Sequence, residues 1–403
     1  MAYLLRLNSN IQVYRKYTAP IQTFTNHLRL TENFYFKKER PELSSILTIG
    51  EPIMDITSQI DEQIIEKYNL KWRDTVLIGE KDDDKNAQIF EELEKMPKVR
   101  YLPGGSAQNT IRVLSWCLKM QHDIKKYKLS FLGSIGDDEY KNKIEKELKD
   151  LNINPIFEVI KDDKTSRCGV GIFKKEKLFA TQLRASKKLS KEFIDEHLNE
   201  ILDHQALFIE GYMVSNKLDI CKELIGYFKR DKKPIILSLC APFIVKNNLD
   251  KLLELANDAD IITGNMEEAM ELAGATNSDD VDEIFRSIFS KLNPDENRLL
   301  VVTHGDNGAH WGKYNYEEKR LEFMIQYFAV EMKEEEIEDL NGAGDAFLGG
   351  FLSRYMEGYS IHDCCKVGIE AATIIIKNIG CDFPKDKTFD EIYREKIEIK
   401  NII

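Results

Sequence analysis

Six short stretches of the chain are apolar without interruption: ILTIG (46–50), LSFLGSIG (129–136), ALFIEG (206–211), PIILSLC (234–240), ADIITGN (259–265) and LLVVTHG (299–305). A strand with one face in water alternates apolar and polar residues, so unbroken runs mark strands covered on both faces. Between them lie longer segments with helical spacing, such as 140–150 and 216–230. Strand and helix alternating in this way predict a doubly wound, largely parallel sheet. Nearly every run closes on Gly, Asn or a small polar residue, and in such folds ligands bind beyond the carboxyl ends of the strands. Two stretches break the rhythm, MDITSQID (54–61) and TSRCGVGIFKKEKLFATQL (165–183). Their mixture of Thr, charged and apolar residues predicts solvent-side strands forming a small sheet of their own, a lid built from about 54–78 and 160–190.

The 403 residues and 42% hydrophobic content suffice for a substantial core. A formal net charge of −12 argues against nucleic acid or an anionic membrane as partner, since either needs a clustered basic field. No stretch reaches the roughly 18 apolar residues of a membrane helix. The seven cysteines are scattered without a CxxC pair, and Cys364 and Cys365 read as core residues of a helix rather than a disulfide. Residues 1–30 carry Arg6, Arg15, Lys16 and Arg29 and no acid. We expect residues 1–44 to be a disordered or surface-docked extension, or a transit peptide, ahead of one domain over 45–403. The location is then cytoplasmic, or mitochondrial if the extension is a targeting signal. The acidic clusters EKDDDK (80–85) and EMKEEEIED (331–339) read as solvated loops.

The stretch DLNGAGDAFLGG (339–350) predicts a glycine turn, Asn341–Gly344, opening a helix with Leu348, Leu352 and Tyr355 on one face. Asp345 falls in the first turn, where helix-dipole attraction alone could account for an acid. The glycines need a further reason: they let backbone N–H groups converge on an anion. An anion pocket and a carboxylate in one turn point to phosphoryl transfer. The N–H groups of Gly342, Ala343 and Gly344 would hold the moving phosphoryl while Asp345 takes the proton of an attacking hydroxyl. Phe347 occupies the third glycine position of a dinucleotide fingerprint, and GxxxxGK[S/T] occurs nowhere. In LPGGSAQNT (102–110), Ser106 is placed to cap a helix, and Asn109 points to the same edge as Gly104 and Gly105, where sugar hydroxyls could bind. Asp55 is either a turn acid or the carboxylate that grips a vicinal diol. Asn265 and Glu268 in GNMEEA form either a capping arrangement or outer-sphere support for Mg²⁺ and its phosphates. Thr303 and Gly305 end another strand as nucleotide contacts or a hairpin turn; His304 reads as structural.

Together GGSAQN, LGSIGDD, CAPFI, GNMEEA, DLNGAGDAFLGGF and GCDFP, in this order between about Leu47 and Pro384, resemble the ribokinase/PfkB family, most closely its adenosine kinase branch. The resemblance implies a ribokinase-like three-layer α/β/α fold with a small β lid. It also implies ATP as phosphoryl donor, Mg²⁺, and the 5′-hydroxyl of adenosine as acceptor, giving AMP in purine salvage. Asp345 would be the base and Gly342, Ala343 and Gly344 the anion hole. Asp55, Gly105, Ser106, Asn109 and Asn341 would hold the ribose, with Tyr212 and Phe243 in the base pocket; Met213 matches the Tyr212 position equally well. Lys177 falls where the family has a phosphate-contacting arginine, and keeps the charge without the bidentate fork. Glu51 stands in place of an asparagine in the family's GNP segment and Leu340 in place of a threonine. The partners implied are small molecules, and the protein is expected as a monomer or a dimer. Two alternatives stay open: a family kinase for another nucleoside or a sugar, which Glu51 favours, and a non-catalytic purine-binding relative.

Overall fold

The computed structural model describes the strands Tyr3–Arg6 and Ile11–Arg15 and residues 39–389, apart from 69–74, 80–84, 120–123, 174–175, 275–279, 294–297, 316–319, 328, 331, 386 and 388. Most of the 80–85 cluster, and residues 7–10 and 16–38 of the expected extension, lie outside the described residues. Among these, eleven strands form the central sheet. From one edge it runs Ile153–Ile160, Lys128–Gly136, Ser45–Ile49, Leu207–Glu210, Ile235–Ser238, Ile261–Asn265 and Leu299–Thr303, all mutually parallel. Ala309–Asn315, Arg320–Tyr327, Ile11–Arg15 and Tyr3–Arg6 extend the other side with antiparallel pairing. Leu207–Glu210 and Ile235–Ser238 are buried at every position, because helices cover both faces.

After the edge strands Tyr3–Arg6 and Ile11–Arg15, the chain enters the parallel part of this sheet in its interior. From Ser45–Ile49 it winds outward through Lys128–Gly136 to Ile153–Ile160, then returns to the other flank of Ser45–Ile49 with Leu207–Glu210. The crevice between the ends of Ser45–Ile49 and Leu207–Glu210 is therefore the topological switch point, where doubly wound folds bind ligands.

The second sheet orders Thr75–Leu77, Glu176–Gln182, Ser166–Phe173, Ile53–Gln59 and Arg100–Gly104. Only Gly50–Pro52 separate its strand Ile53–Gln59 from Ser45–Ile49, so one chain segment links lid and core. Arg100–Gly104 was not expected as a strand, since Pro103 within RYLPG cannot donate to a ladder; it lies on the sheet edge, where that loss is tolerated. It leads through Gly105 into the helix Ser106–Leu118.

The helix Ala343–Met356 is wedged between Ser106–Leu118 and Ile361–Ile375. The glycine pair in its middle permits this: a Cβ on Gly349 would lie 2.7 Å from the Thr110 carbonyl oxygen, and one on Gly350 2.8 Å from Ala371 Cβ. Phe347, Phe351 and Leu352 fill the remaining space. Cys364 and Cys365 are buried free thiols in Ile361–Ile375. The close packing of Ala343–Met356 on Ser106–Leu118 brings the first turns of the two helices together.

Candidate active site

Gly342 precedes the helix Ala343–Met356 in the left-handed region, φ +78°, which a side chain resists. A Cβ there would also lie 2.7 Å from Cys381 Cβ. The turn thus backs onto the 380–383 segment. On its other side Gly344 is exposed, with no atom within 4 Å of where a Cβ would sit. The first N–H groups of the helix have no intrahelical acceptors; that of Ala343 donates to the Leu340 carbonyl at 3.3 Å.

Asp345 lies in that first turn, and its carboxylate is held at both oxygens by the facing helix. Ser106 Oγ donates to Oδ1 at 2.7 Å and Asn109 Nδ2 to Oδ2 at 3.0 Å. Burial raises the Asp345 carboxyl above its ordinary pKa, and the two hydrogen bonds pull it back down. Ser106 does not cap its helix. Gly105 occupies the cap position with no side-chain bond, which frees the Ser106 hydroxyl for Asp345.

Two cavities flank this pair of helices: Asp345 lines the first, and its hydrogen-bond partner Asn109 lines the second. One is lined by Asp345, Ser106, Gly344, Asn265, Glu268 and Thr303. The other is lined by Asp55, Asn109, Asn341, Gly342, Asp339 and Cys381. Asp55 reaches the second from the lid strand Ile53–Gln59. Burial pushes its carboxyl up to about 7; Arg112 draws it down, against Asp345 and Asp339.

In the first cavity, Asn265 and Glu268 form a complete capping box at the start of the helix Met266–Ala273. Glu268 N–H donates to Asn265 Oδ1 at 2.9 Å; Asn265 N–H donates to Glu268 Oε2 at 3.0 Å and its Nδ2 to Oε1 at 2.7 Å. Burial lifts the Glu268 carboxyl to about 7. Each Glu268 oxygen thus already accepts one hydrogen bond from Asn265. No group of three or more His, Cys, Asp or Glu side chains able to hold a metal exists among the described residues. Thr303 lines the cavity, whereas Gly305 lies in the exposed hairpin turn after it, at φ +49°.

Tyr212 and Phe243 come together, ring centroids 6.2 Å apart, but line neither cavity. Of the two aromatic-position candidates, Met213 is core and Tyr212 is the partly exposed one. Lys177 lines neither cavity: its ammonium pairs with Asp339. Asp339 was read as part of a solvated acidic run, yet it is buried. Its Oδ1 accepts from Asn341 N–H at 2.9 Å and its Oδ2 from Gly380 N–H at 2.7 Å, which ties the glycine turn to the segment behind it. Arg112 is also absent from the sequence reading. Wholly buried, it donates to the Pro103 and Cys381 carbonyls at 3.2 and 3.0 Å and to Glu147 at 3.1 Å, fixing the wall behind Gly342 to the Ser106–Leu118 helix. Neither residue carries a local signal, since both are recognisable only by partners distant in sequence.

Residues 73–388 match the model of the pfkB family of carbohydrate kinases. The chain belongs to that family. Its members include the adenosine kinase of Dictyostelium discoideum, 30% identical over 344 residues, which cover 84% of this chain and 96% of that protein. The solved apo adenosine kinase of Trypanosoma brucei brucei superposes with a TM-score of 0.74 at 26% identity, over 84% of this chain and 100% of that one. The Schistosoma mansoni adenosine kinase in complex with 2-fluoroadenosine shares the fold, with a TM-score of 0.72 at 23% identity over 86% of this chain and 99% of that one. This chain is thus a pfkB kinase of ribokinase-like fold, and the first cavity lies beyond the carboxyl ends of its strands Ile235–Ser238, Ile261–Asn265 and Leu299–Thr303.

Proposed function

We propose that the protein transfers the γ-phosphoryl group of ATP to the 5′-hydroxyl of adenosine, forming AMP and ADP. The observation that carries this reading is Asp345, held between Ser106 and Asn109 where a hydroxyl-facing cavity and a helix N-terminus meet. The names of the family members support the acceptor.

In this reading the acceptor occupies the Asp55 side. Asp55, Asn109 and Asn341 grip the ribose hydroxyls, Gly105 and Ser106 form the turn beneath them, and Tyr212 and Phe243 flank the base. Asp345 accepts the 5′-hydroxyl proton as the oxygen attacks phosphorus. The N–H groups from Gly342 to Gly344 stabilise the charge on the phosphoryl in flight. Lys177 neutralises Asp339 at the foot of the same turn, so that the turn receives an anion instead of repelling it. ATP lies on the Thr303 and Gly305 side. Mg²⁺ would be held there through water by Asn265 and Glu268, where it neutralises donor phosphate charge.

The test is turnover of adenosine, inosine, guanosine, ribose and fructose with ATP and Mg²⁺, followed as ADP and phosphorylated product. AMP from adenosine is expected. Turnover of a free sugar with none of adenosine overturns the reading in favour of another pfkB acceptor, and adenosine binding without AMP overturns it in favour of a non-catalytic relative.

A further inference from the structure

At the switch point, the strands Ser45–Ile49 and Leu207–Glu210 end in two neighbouring glutamates that the chemistry above does not use, Glu51 and Glu210. Glu210 is 1% exposed and Glu51 5%. Neither forms an ion pair among the described residues. A buried acid without a cation needs strong hydrogen-bond donors. Glu210 finds them in two backbone segments: Oε1 accepts from Glu51 N–H at 2.5 Å and Oε2 from Ala107 N–H at 2.8 Å. Burial, and then the Glu51 charge, push the Glu210 carboxyl up to about 8, against the pull of the Ala107 and Glu51 N–H groups, while burial pushes Glu51 up to about 7.

The Ala107 N–H belongs to the first turn of the Ser106–Leu118 helix, whose cap residue, Gly105, offers no side-chain acceptor. Glu210 supplies that acceptor from another strand, and places an acid where the helix dipole favours one. Gly50 makes room for it: a Cβ there would lie 2.7 Å from Glu210 Cδ and 2.5 Å from Ala107 Cβ. The residue before Ala107 is Ser106, which holds Asp345, and Asn109 follows one half-turn later.

We infer that Glu210 is a positioning residue of the transfer reaction: its carboxylate bolts the first turn of the acceptor helix to the Gly50–Glu51 turn and thereby sets Ser106 and Asn109 against Asp345. The role rests on the assignment of Asp345 as base. Glu210 touches neither substrate nor phosphoryl group and acts through the helix.

The substitution Glu210→Gln keeps the shape but turns an N–H donor toward one of the two backbone N–H groups. It is expected to raise the acceptor KM and lower kcat by roughly tenfold or more together, while the KM for ATP stays within about twofold because Glu210 bonds to none of the donor-side residues Asn265, Glu268 and Thr303. In a double-mutant cycle with Ser106→Ala, the two losses are expected to be strongly less than multiplicative, because both act through one hydroxyl. Multiplicative losses, or a fall in kcat alone that tracks the unfolded fraction, overturn the inference. Hydrogen exchange of the full-length protein gives a readout that needs no substrate: in Glu210→Gln the amides of residues 105–110 should exchange faster. Unchanged exchange there overturns the inference even if the acceptor is not adenosine. Absence of adenosine turnover by the wild type, with the exchange change present, counts against the function and not against Glu210.

Discussion

Replacing Asp345 by asparagine separates holding from proton transfer. An asparagine in the same rotamer accepts from Asn109 Nδ2 with its carbonyl and donates to Ser106 Oγ with its amide, since a hydroxyl accepts as readily as it donates. Both contacts survive, the side chain stays in place, and only the proton affinity is lost. General-base catalysis is worth about 10²–10⁴-fold, so kcat is expected to fall by that factor, about 2.7–5.5 kcal/mol of transition-state stabilisation. Adenosine affinity by calorimetry is expected to stay within about threefold, the scale of a single retained neutral hydrogen bond. Stability should not fall, because burial penalises the wild-type carboxylate and the amide escapes that desolvation cost. The assay couples ADP release to NADH oxidation at saturating adenosine and ATP. A variant retaining kcat within about tenfold of wild type, with binding intact, would refute the assignment of Asp345 as base.

Gly342→Ala is expected to cost about 2–5 kcal/mol in urea unfolding, from the left-handed conformation and the overlap with Cys381, whereas Gly344→Ala leaves the unfolding midpoint unchanged and lowers kcat. Asp339→Asn leaves Lys177 buried without its partner and one of two backbone N–H groups without an acceptor, and should cost about 3–5 kcal/mol, read by the same unfolding measurement. The pH dependence of stability follows from Glu51, Asp55 and Glu268, raised to about 7, and Glu210, raised to about 8. The folded state binds their protons more tightly than the unfolded chain, so the stability they contribute is full below their ordinary values of 3.8 for Asp and 4.5 for Glu and is lost as pH rises through about 7 to 8. Thermal melts of the ligand-free protein should show Tm declining across that window, and a rising Tm would contradict it.

The parallel half of the sheet was legible because strands buried on both faces write their environment directly into an unbroken apolar run. The antiparallel strands Ala309–Asn315 and Arg320–Tyr327 carry no such run, and Arg100–Gly104 was concealed by Pro103. The turn from Asn341 to Asp345 was visible because glycines and an acid in that spacing have few other uses. Asp339 and Arg112 were not, since a buried charge looks like a surface charge until the chain has folded around it. Asp339 takes its partners from residues 177 and 380, and Arg112 from 147 and 381. Ser106 was seen, but with another partner: local rules favour a cap, and only the contact between two helices shows the hydroxyl turned to Asp345.

The wall behind Gly342 has a consequence for biosynthesis. Asp55 leaves the ribosome about 300 residues before Cys381, a delay of roughly 15–60 s at ordinary elongation rates. Throughout that interval the nascent chain has the Asp55 carboxylate but no backing for the glycine turn and no carbonyl at 381 for Arg112 to bind. Completion of the glycine turn therefore waits on residue 381, and a ribosome stalled before residue 380 would carry a half-built site.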